Sequence, residues 1–309
     1  MIKLAFLGLG VMGFPMAGHL RQAGYDITVY NRSPEKAQRW LEKFCSETSF
    51  EEFVQEGMAP TPVDAAQDAD IVFACVGDDN DLKDITIGEQ GAFKGMKSGA
   101  LFVDHTTVSA DITRELAGIA AQSQLGYLDA PVSGGQQGAE NGLLTIMVGG
   151  SEIDFNIAKP ILQHYAREIT LMGPVGNGQL CKMVNQICVA GLIQGLAEGL
   201  SFAQVSGLNR EQVISVISKG AAQSWQMDNR YKTMLAGDYN HGFAVDWMRK
   251  DLAIALTEAS SKGVQLPVTQ LVDDFYGEVQ SMGGSRWDTS SLLARLEALN
   301  SEDNKSRNN

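Results

Sequence analysis

Gly8-Leu9-Gly10-Val11-Met12-Gly13 sets three glycines at the G-x-G-x-x-G spacing, and the chemistry that spacing serves is the cradling of a dinucleotide pyrophosphate. Gly8 is expected to allow a tight turn, Gly10 to let the backbone approach the phosphates, and Gly13 to let the next helix pack closely on the preceding strand. The N-terminus of that helix offers backbone N–H groups and the positive end of its dipole to an anion. The context agrees. A strand-like run, Lys3–Leu7, leads into the glycines, a helix-compatible segment follows through Leu20, and a second strand-like run, Ile27–Tyr30, ends about twenty residues on.

The end of that second run bears on which nicotinamide dinucleotide would be held. An acid at this point accepts hydrogen bonds from the adenosine ribose and repels a 2′-phosphate. Here the run ends in Asn31-Arg32-Ser33-Pro34-Glu35-Lys36. Arg32 can grip a phosphate with its planar fork, Ser33 can donate a hydroxyl hydrogen bond, and Lys36 adds charge one helical turn on. NADP is therefore expected in preference to NAD. The alternative is that Arg32 and Lys36 simply face solvent.

Lys182 stands in an otherwise apolar stretch, Leu180-Cys181-Lys182-Met183-Val184, after a glycine-rich loop. Burial would push an ammonium group's pKa down towards neutrality, where a lysine can serve as general acid or base. The competing reading is a lysine whose head snorkels to water, and residue chemistry alone leaves the two level. Asn185, one turn later, shares the face of Lys182 and can hydrogen-bond a reacting oxygen, with Gln186 as the alternative. Ser133-Gly134-Gly135 offers a hydroxyl and unobstructed backbone N–H groups, which would suit a carboxylate; otherwise it is an ordinary glycine-rich loop. His19, His105, His164 and His241 are dispersed and form no H-E-x-x-H or Cys/His cluster, so no metal site is expected.

These residues need a scaffold. Strand-like runs at Lys3–Leu7, Ile27–Tyr30, Ile71–Val76, Leu101–Asp104, Gly126–Leu128, Thr145–Val148 and Glu168–Leu171 alternate with helical segments, which predicts a parallel sheet with crossover helices. After Gly178 apolar residues recur at three- and four-residue steps, so the second half is read as helical. The expected fold is α/β. A Rossmann-type doubly wound sheet over 1–176 precedes an all-helical domain over 177–300, and the polar tail 301–309 is expected to be frayed or disordered. The apolar stretch Val184–Phe202 is interrupted by Gln186, Gln194 and Glu198 and reads as a buried helix, not a membrane span. Gly191, Gly195 and Gly199 fall four apart and are expected to let another helix approach closely. Between Trp40 and Val63 an acidic stretch (Glu42, Glu47, Glu51, Glu52, Glu56) reads as a solvated surface.

A chain of 309 residues has room for two domains, and 44% hydrophobic against 20% charged residues supplies a core without disulfide or metal staples. The net charge of −13 opposes nucleic-acid phosphate, while local backbone dipoles can still hold an anionic cofactor. Cys45, Cys75, Cys181 and Cys188 form no C-x-x-C pair, and no charged leader precedes the first strand-like run. Both features suit a cytoplasmic protein with reduced thiols.

With Phe14-Pro15-Met16-Ala17 added, the glycine turn resembles the opening of the β-hydroxyacid dehydrogenases, the 3-hydroxyisobutyrate dehydrogenase and tartronate semialdehyde reductase group; His19 departs from it, where that family often has Asn. Three further stretches resemble the family in order. They are Asp129-Ala130-Pro131-Val132-Ser133-Gly134-Gly135, Gly173-x-x-Gly176-x-Gly178-x-x-x-Lys182-x-x-Asn185-Gln186, and Lys250-Asp251-Leu252. The resemblance spans residues 1–295, and Cys45–Thr61 looks like an insertion to which nothing carries over.

The resemblance implies hydride transfer between a nicotinamide cofactor and a small hydroxy acid or semialdehyde bearing a carboxylate. It implies an active site in the cleft between a Rossmann domain and a helical one, and a homodimer or homotetramer built through the helical domains. It decides the reading of Lys182 in favour of general acid/base catalysis, with Asn185 beside it and the division between Asn185 and Gln186 left open. It further implies Ser133, Gly134 and Gly135 as the substrate loop and Trp225 as a pocket-lining residue. Thr107 would lie against the nicotinamide ribose, Val76 and Gly77 would form the loop after the third strand, and Lys250 would close over cofactor and substrate with Asp251 orienting it.

Three rival readings have discriminating residues. A decarboxylating enzyme like 6-phosphogluconate dehydrogenase carries His beside the key Asn, and Lys182-Met183-Val184-Asn185-Gln186 has none. Imine reductases typically replace the lysine, and a non-catalytic NADPH-binding module would be expected to have lost it. The substrate stays open among tartronate semialdehyde, succinic semialdehyde, glyoxylate, 3-hydroxyisobutyrate and serine.

Overall fold

The computed structural model describes residues 2–45 and 57–307, with side chains placed through Ser301. Of the acidic stretch, Glu47, Glu51, Glu52 and Glu56 lie outside the described residues, as does 46–56 of the insertion. The chain divides into two compact units, Met1–Lys182 and Met183–Asn309.

In the first unit, β1 (Lys3–Leu7) buries both faces: Leu4 and Phe6 join one core cluster, Ala5 and Leu7 the other. This is the two-residue period of a strand covered on both sides. The parallel strands run in the order β2 (Asp26–Tyr30), β1, β3 (Ile71–Ala74), β4 (Leu101–Asp104), β5 (Gly126–Asp129). One face is covered by α1 (Gly13–Gln22) and α2 (Pro34–Phe44) through Met16, Leu20, Trp40 and Leu41. The other is covered by α3 (Pro62–Ala66), α4 (Asp79–Ile87) and α5 (Ala110–Gln122) through Ala66, Leu82, Ile112 and Leu116. Trp40 is fully buried, and its indole N–H donates to the Phe14 carbonyl at 3.1 Å, so its burial leaves no donor unpaired. Because β2 and β3 flank β1 on opposite sides, the carboxyl end of β1 is the topological switch point, where open α/β sheets bind ligands.

Three expectations are corrected here. The sheet is not parallel throughout: β7 (Leu144–Gly149) runs antiparallel to β5 and to β6 (Val132–Ser133), and β8 (Ala166–Gly173) returns parallel to β7. β6 has two residues, too few to show any period in the sequence, and α6 (Gly135–Glu140) starts almost at once, so Ser133-Gly134-Gly135, read from the sequence as a glycine-rich loop, is a short strand-to-helix turn. The third strand stops at Ala74 instead of Val76, because the Val76 N–H leaves the ladder and donates to the Thr106 hydroxyl at 3.1 Å. Helix α7 (Glu152–Leu162) completes the first unit's cover.

Helix α8 (Asn177–Val205) starts in the first unit and continues into the second. With α9 (Arg210–Ile217), α10 (Trp225–Ala236), α11 (Val245–Ser261), α12 (Pro267–Ser281) and α13 (Leu292–Arg307) it makes the second unit helical. Ala190, Ile193, Ala197 and Leu200, three and four apart on α8, pack in one core with Met248, Leu252, Val272 and Tyr276. The Asn209 and Ser224 side chains cap α9 and α10 by accepting the N–H groups of Gln212 and Met227. By length and composition α8 could cross a membrane; one face lies in this core, while Val184, Leu192, Phe202 and Val205 are exposed. Of the glycine stripe, Gly191 faces Val268 of α12, where an added Cβ would lie 4.0 Å from the Val268 side chain. A Cβ at Gly195 or Gly199 would have no neighbour within 4 Å among the described residues of this chain, because α8 packs through its opposite face. The backbone of α13 carries the helix on to Arg307, into the tail expected to fray.

Candidate active site

The Gly8–Gly13 turn occupies the switch point, and its glycines differ in why they are glycine. Gly8 has φ +99°, and a Cβ there would run into the Cys75 carbonyl. A Cβ at Gly13 would overlap the Gly8 carbonyl, so helix and turn touch backbone to backbone. At Gly10 a Cβ would have no neighbour within 4 Å among the described residues. Bare backbone facing open space is what an approaching pyrophosphate requires, and no side chain caps the start of α1, whereas Thr61, Asp78, Ser109 and Ser151 cap later helices of this unit. The residues present therefore suit a dinucleotide. Leu9 N–H donates to Asn31 Oδ1 at 2.8 Å, and Asn31 Nδ2 donates to the Ser33 carbonyl at 3.0 Å, which ties the turn to the end of β2. Val11 and Met12 complete the turn, with Val11 exposed. Arg32, Ser33 and Lys36 are exposed at that strand end, and Arg32 Nη1 lies 3.0 Å from Asp81 Oδ1.

Lys182 is 8% exposed, and its Nζ donates to the Val132 carbonyl at 2.8 Å. The lysine thus reaches the residue before Ser133, where Gly134 and Gly135 adopt φ of +134° and +61°, conformations that favour glycine. The start of α8 is fixed by residues that sequence reasoning left without a role. Asp129, fully buried at the end of β5, accepts the Gly176 N–H at 2.8 Å and the Gln179 N–H at 2.9 Å. Burial pushes its carboxyl pKa up, while these backbone donors pull the other way. Gln179 in turn donates to the Thr106 carbonyl at 2.7 Å and accepts the Val108 N–H at 3.2 Å, bracketing Thr107. A carboxylate closing a strand is a signal for Asp129; Gln179 and His105 carry none.

His105, likewise left without a role by the sequence, holds the segment just after β5 and not the helix. Its Nδ1 lies 2.6 Å from the Ala130 carbonyl and its Nε2 2.8 Å from the Tyr165 hydroxyl. A carbonyl only accepts, so Nδ1 carries the proton and Nε2 accepts from the tyrosine. The ring stacks on Phe73 with centroids 5.9 Å apart, and burial pulls its pKa down to about 4 despite the Ala130 bond.

In the second unit Asp251, 2% exposed, accepts from Gln186 Nε2 at 2.8 Å and pairs with Lys250 Nζ at 3.2 Å. Because the carboxylate takes the Gln186 amide nitrogen, Gln186 Oε1 is left to accept from Asn185 Nδ2 at 2.8 Å. Buried Gln186 is therefore a tether, and half-buried Asn185 is the amide it orients. Trp225 is 39% exposed at the start of α10, with the Arg230 guanidinium 5.0 Å from its ring, so it does not belong to the core of this unit. Val76, Gly77 and Thr107 are partly buried at the carboxyl ends of β3 and β4 in the first unit.

Residues 3–173 match the model of the NAD-binding domain of 6-phosphogluconate dehydrogenase, and residues 176–296 match the NAD-binding model of NADP-dependent 3-hydroxyisobutyrate dehydrogenase. An uncharacterized oxidoreductase of Shewanella frigidimarina is 60% identical over 96% of this chain and 99% of its own length. The 2-hydroxy-3-oxopropionate reductase of Escherichia coli is 34% identical over 96% of this chain and 98% of its own. Among solved structures, Mycobacterium tuberculosis 3-hydroxyisobutyrate dehydrogenase with L-serine superposes with a TM-score of 0.81 at 26% identity, covering 96% of this chain and 99% of that one. With its dinucleotide turn at the switch point of β1 and its helical second unit, the chain belongs to the β-hydroxyacid dehydrogenase family, the 3-hydroxyisobutyrate dehydrogenase and tartronate semialdehyde reductase group of nicotinamide-dependent oxidoreductases.

Proposed function

We propose that the chain is an NADP(H)-dependent β-hydroxyacid dehydrogenase or semialdehyde reductase in which Lys182 is the general acid and base. The observation that carries this is the buried Lys182 ammonium anchored on the Val132 carbonyl, next to Ser133. When bound, the nicotinamide supplies or takes the hydride. Lys182 donates a proton to the substrate oxygen on reduction and recovers it on oxidation. Asn185, oriented by Gln186 and Asp251, holds that oxygen by hydrogen bonding. Ser133 with the N–H groups of Gly134 and Gly135 holds the substrate carboxylate. Trp225 lines the substrate site, and Lys250, steadied by Asp251, closes over it. On the cofactor side Gly8, Gly10 and Gly13 cradle the pyrophosphate, with Leu9, Val11, Met12, Val76, Gly77 and Thr107 along its length. The substrate class is a short semialdehyde acid or its hydroxy acid, in line with the name of the 34% identical reductase.

The carboxylate should be required. A semialdehyde acid and the matching aldehyde without its carboxylate, compared at equal cofactor, should differ in kcat/KM by about a hundredfold or more, because the charge-assisted hydrogen bonds to the carboxylate would be lost. Equal efficiencies would remove Ser133, Gly134 and Gly135 from the substrate site.

NADPH should be preferred to NADH. The support is an exposed Arg32 in place of an acid at the end of β2, with Ser33 and Lys36 beside it. Losing a charge-assisted bidentate contact costs about tenfold or more in affinity, so Arg32→Ala should cut the NADPH/NADH ratio of kcat/KM by roughly that factor. A wild type that favours NADH, or a ratio unmoved by the substitution, shows that the strand end was misread.

A further inference from the structure

Arg32 already has an anionic partner. Its Nη1 lies 3.0 Å from Asp81 Oδ1, with the guanidinium side chain 82% exposed and the carboxylate side chain 32%. Asp81 stands in the first turn of α4, and its own N–H is bound by the capping Asp78 carboxylate at 3.0 Å, so its place does not depend on Arg32. A second acid one turn on, Asp84, acts on the same strand end: after burial, it is what raises the pKa of the Tyr30 hydroxyl, and Arg32 opposes it. The acidic face of α4 thus addresses the end of β2.

A carboxylate and a phosphate compete for one guanidinium fork. The phosphate brings a charge of about −1.5 to −2 and three acceptor oxygens, against a single charge on Asp81, and exposed carboxylate pairs hold weakly, so a 2′-phosphate displaces Asp81 but then lies beside it. A cofactor with a free 2′-hydroxyl meets neither cost. We propose that Asp81 is a specificity-determining residue that competes with the adenosine 2′-phosphate for Arg32 and so limits the preference for NADP(H). The proposal rests on the reading of Arg32 given above.

Asp81→Asn removes the charge and keeps the side-chain shape, with the α4 cap at Asp78 untouched. Dissociation constants for NADPH, NADH, 2′,5′-ADP and 5′-ADP, taken by fluorescence titration or calorimetry at low and at high salt, test it. NADPH and 2′,5′-ADP should bind about two- to fivefold tighter at low salt, NADH and 5′-ADP should stay within about twofold, and the gain should shrink at high salt. In an Arg32→Ala background the gain should largely disappear, since the contested partner is gone. Equal tightening of all four ligands, equal weakening of all four, or unchanged NADPH binding each overturn the proposal; equal weakening would mean that the pair clamps the adenosine. Arg32→Ala alone separates the two failures. If it leaves the NADPH/NADH ratio unmoved, the reading of Arg32 falls. If it collapses the ratio while Asp81→Asn changes nothing, only the role of Asp81 falls.

Discussion

Lys182→Ala is expected to lower kcat by about a hundredfold or more, the usual scale for loss of a general acid or base, with the dissociation constant of the dinucleotide little changed. The expectation follows from position: the ammonium is buried, held on Val132, and one turn before Asn185 on α8. Truncation also leaves the Val132 carbonyl without this donor, at a cost of about 1–3 kcal/mol in stability, so the melting temperature must be taken beside the rate. Lys182→Met fills the same space without a proton and serves as the second variant. If both variants fold and either turns over near the wild-type rate, the lysine is not the acid and the mechanism is wrong. An unchanged kcat with a raised KM would equally reassign it to binding.

The second large effect concerns stability and acid. His105 stays neutral in the folded chain down to about pH 4, whereas an unfolded histidine takes its proton near 6.5. Between those values the unfolded chain binds the extra proton. The contribution is therefore complete above pH 6.5, is lost progressively as the pH falls, and amounts to about 3 kcal/mol by pH 4. Urea unfolding from pH 8 to pH 4 should show this decline. His105→Gln, which can still donate to Ala130 and accept from Tyr165, should start less stable at pH 8 and fall less steeply. A variant that keeps the full wild-type slope would place the acid sensitivity elsewhere, and a ring NMR titration showing a pKa near 6.5 would refute the premise directly.

What the sequence made legible was what steric necessity or bulk periodicity writes into residue types. The glycine turn could be read because Gly8 and Gly13 have no room for a side chain, and the strands because both faces of the sheet are buried and their runs are apolar. The helical half could be read because its core positions recur three and four apart. Lys182 could not be decided from residues alone, since an apolar helix around a lysine is equally compatible with a buried head and a snorkelling one. The fixing of that helix by Asp129 and Gln179, and the hold of His105 on the Ala130 carbonyl, were hidden for a different reason. Each makes its bonds to residues 25 to 73 positions away, and such pairings leave no local pattern. The bond that holds Gln186 was hidden likewise, since its partner Asp251 lies 65 residues on. β6 was missed because two residues have no period.

The unbroken course of α8 from Asn177 to Val205, with the division into two units falling between Lys182 and Met183 of the same helix, has a consequence for heredity. The helix has no break where the folded chain divides. A fragment ending at Gly176 forfeits the lysine and Gln179, and one ending at Lys182 keeps only the first six residues of a helix, too short to persist unaided. Recombination that trades one half for a relative's must cross over before Asn177, importing a foreign lysine, or past Val205, keeping the native one. The lysine therefore travels with the helix and not with the cradle, and a half-exchange that preserves the helix decides by its crossover point whose lysine the hybrid carries.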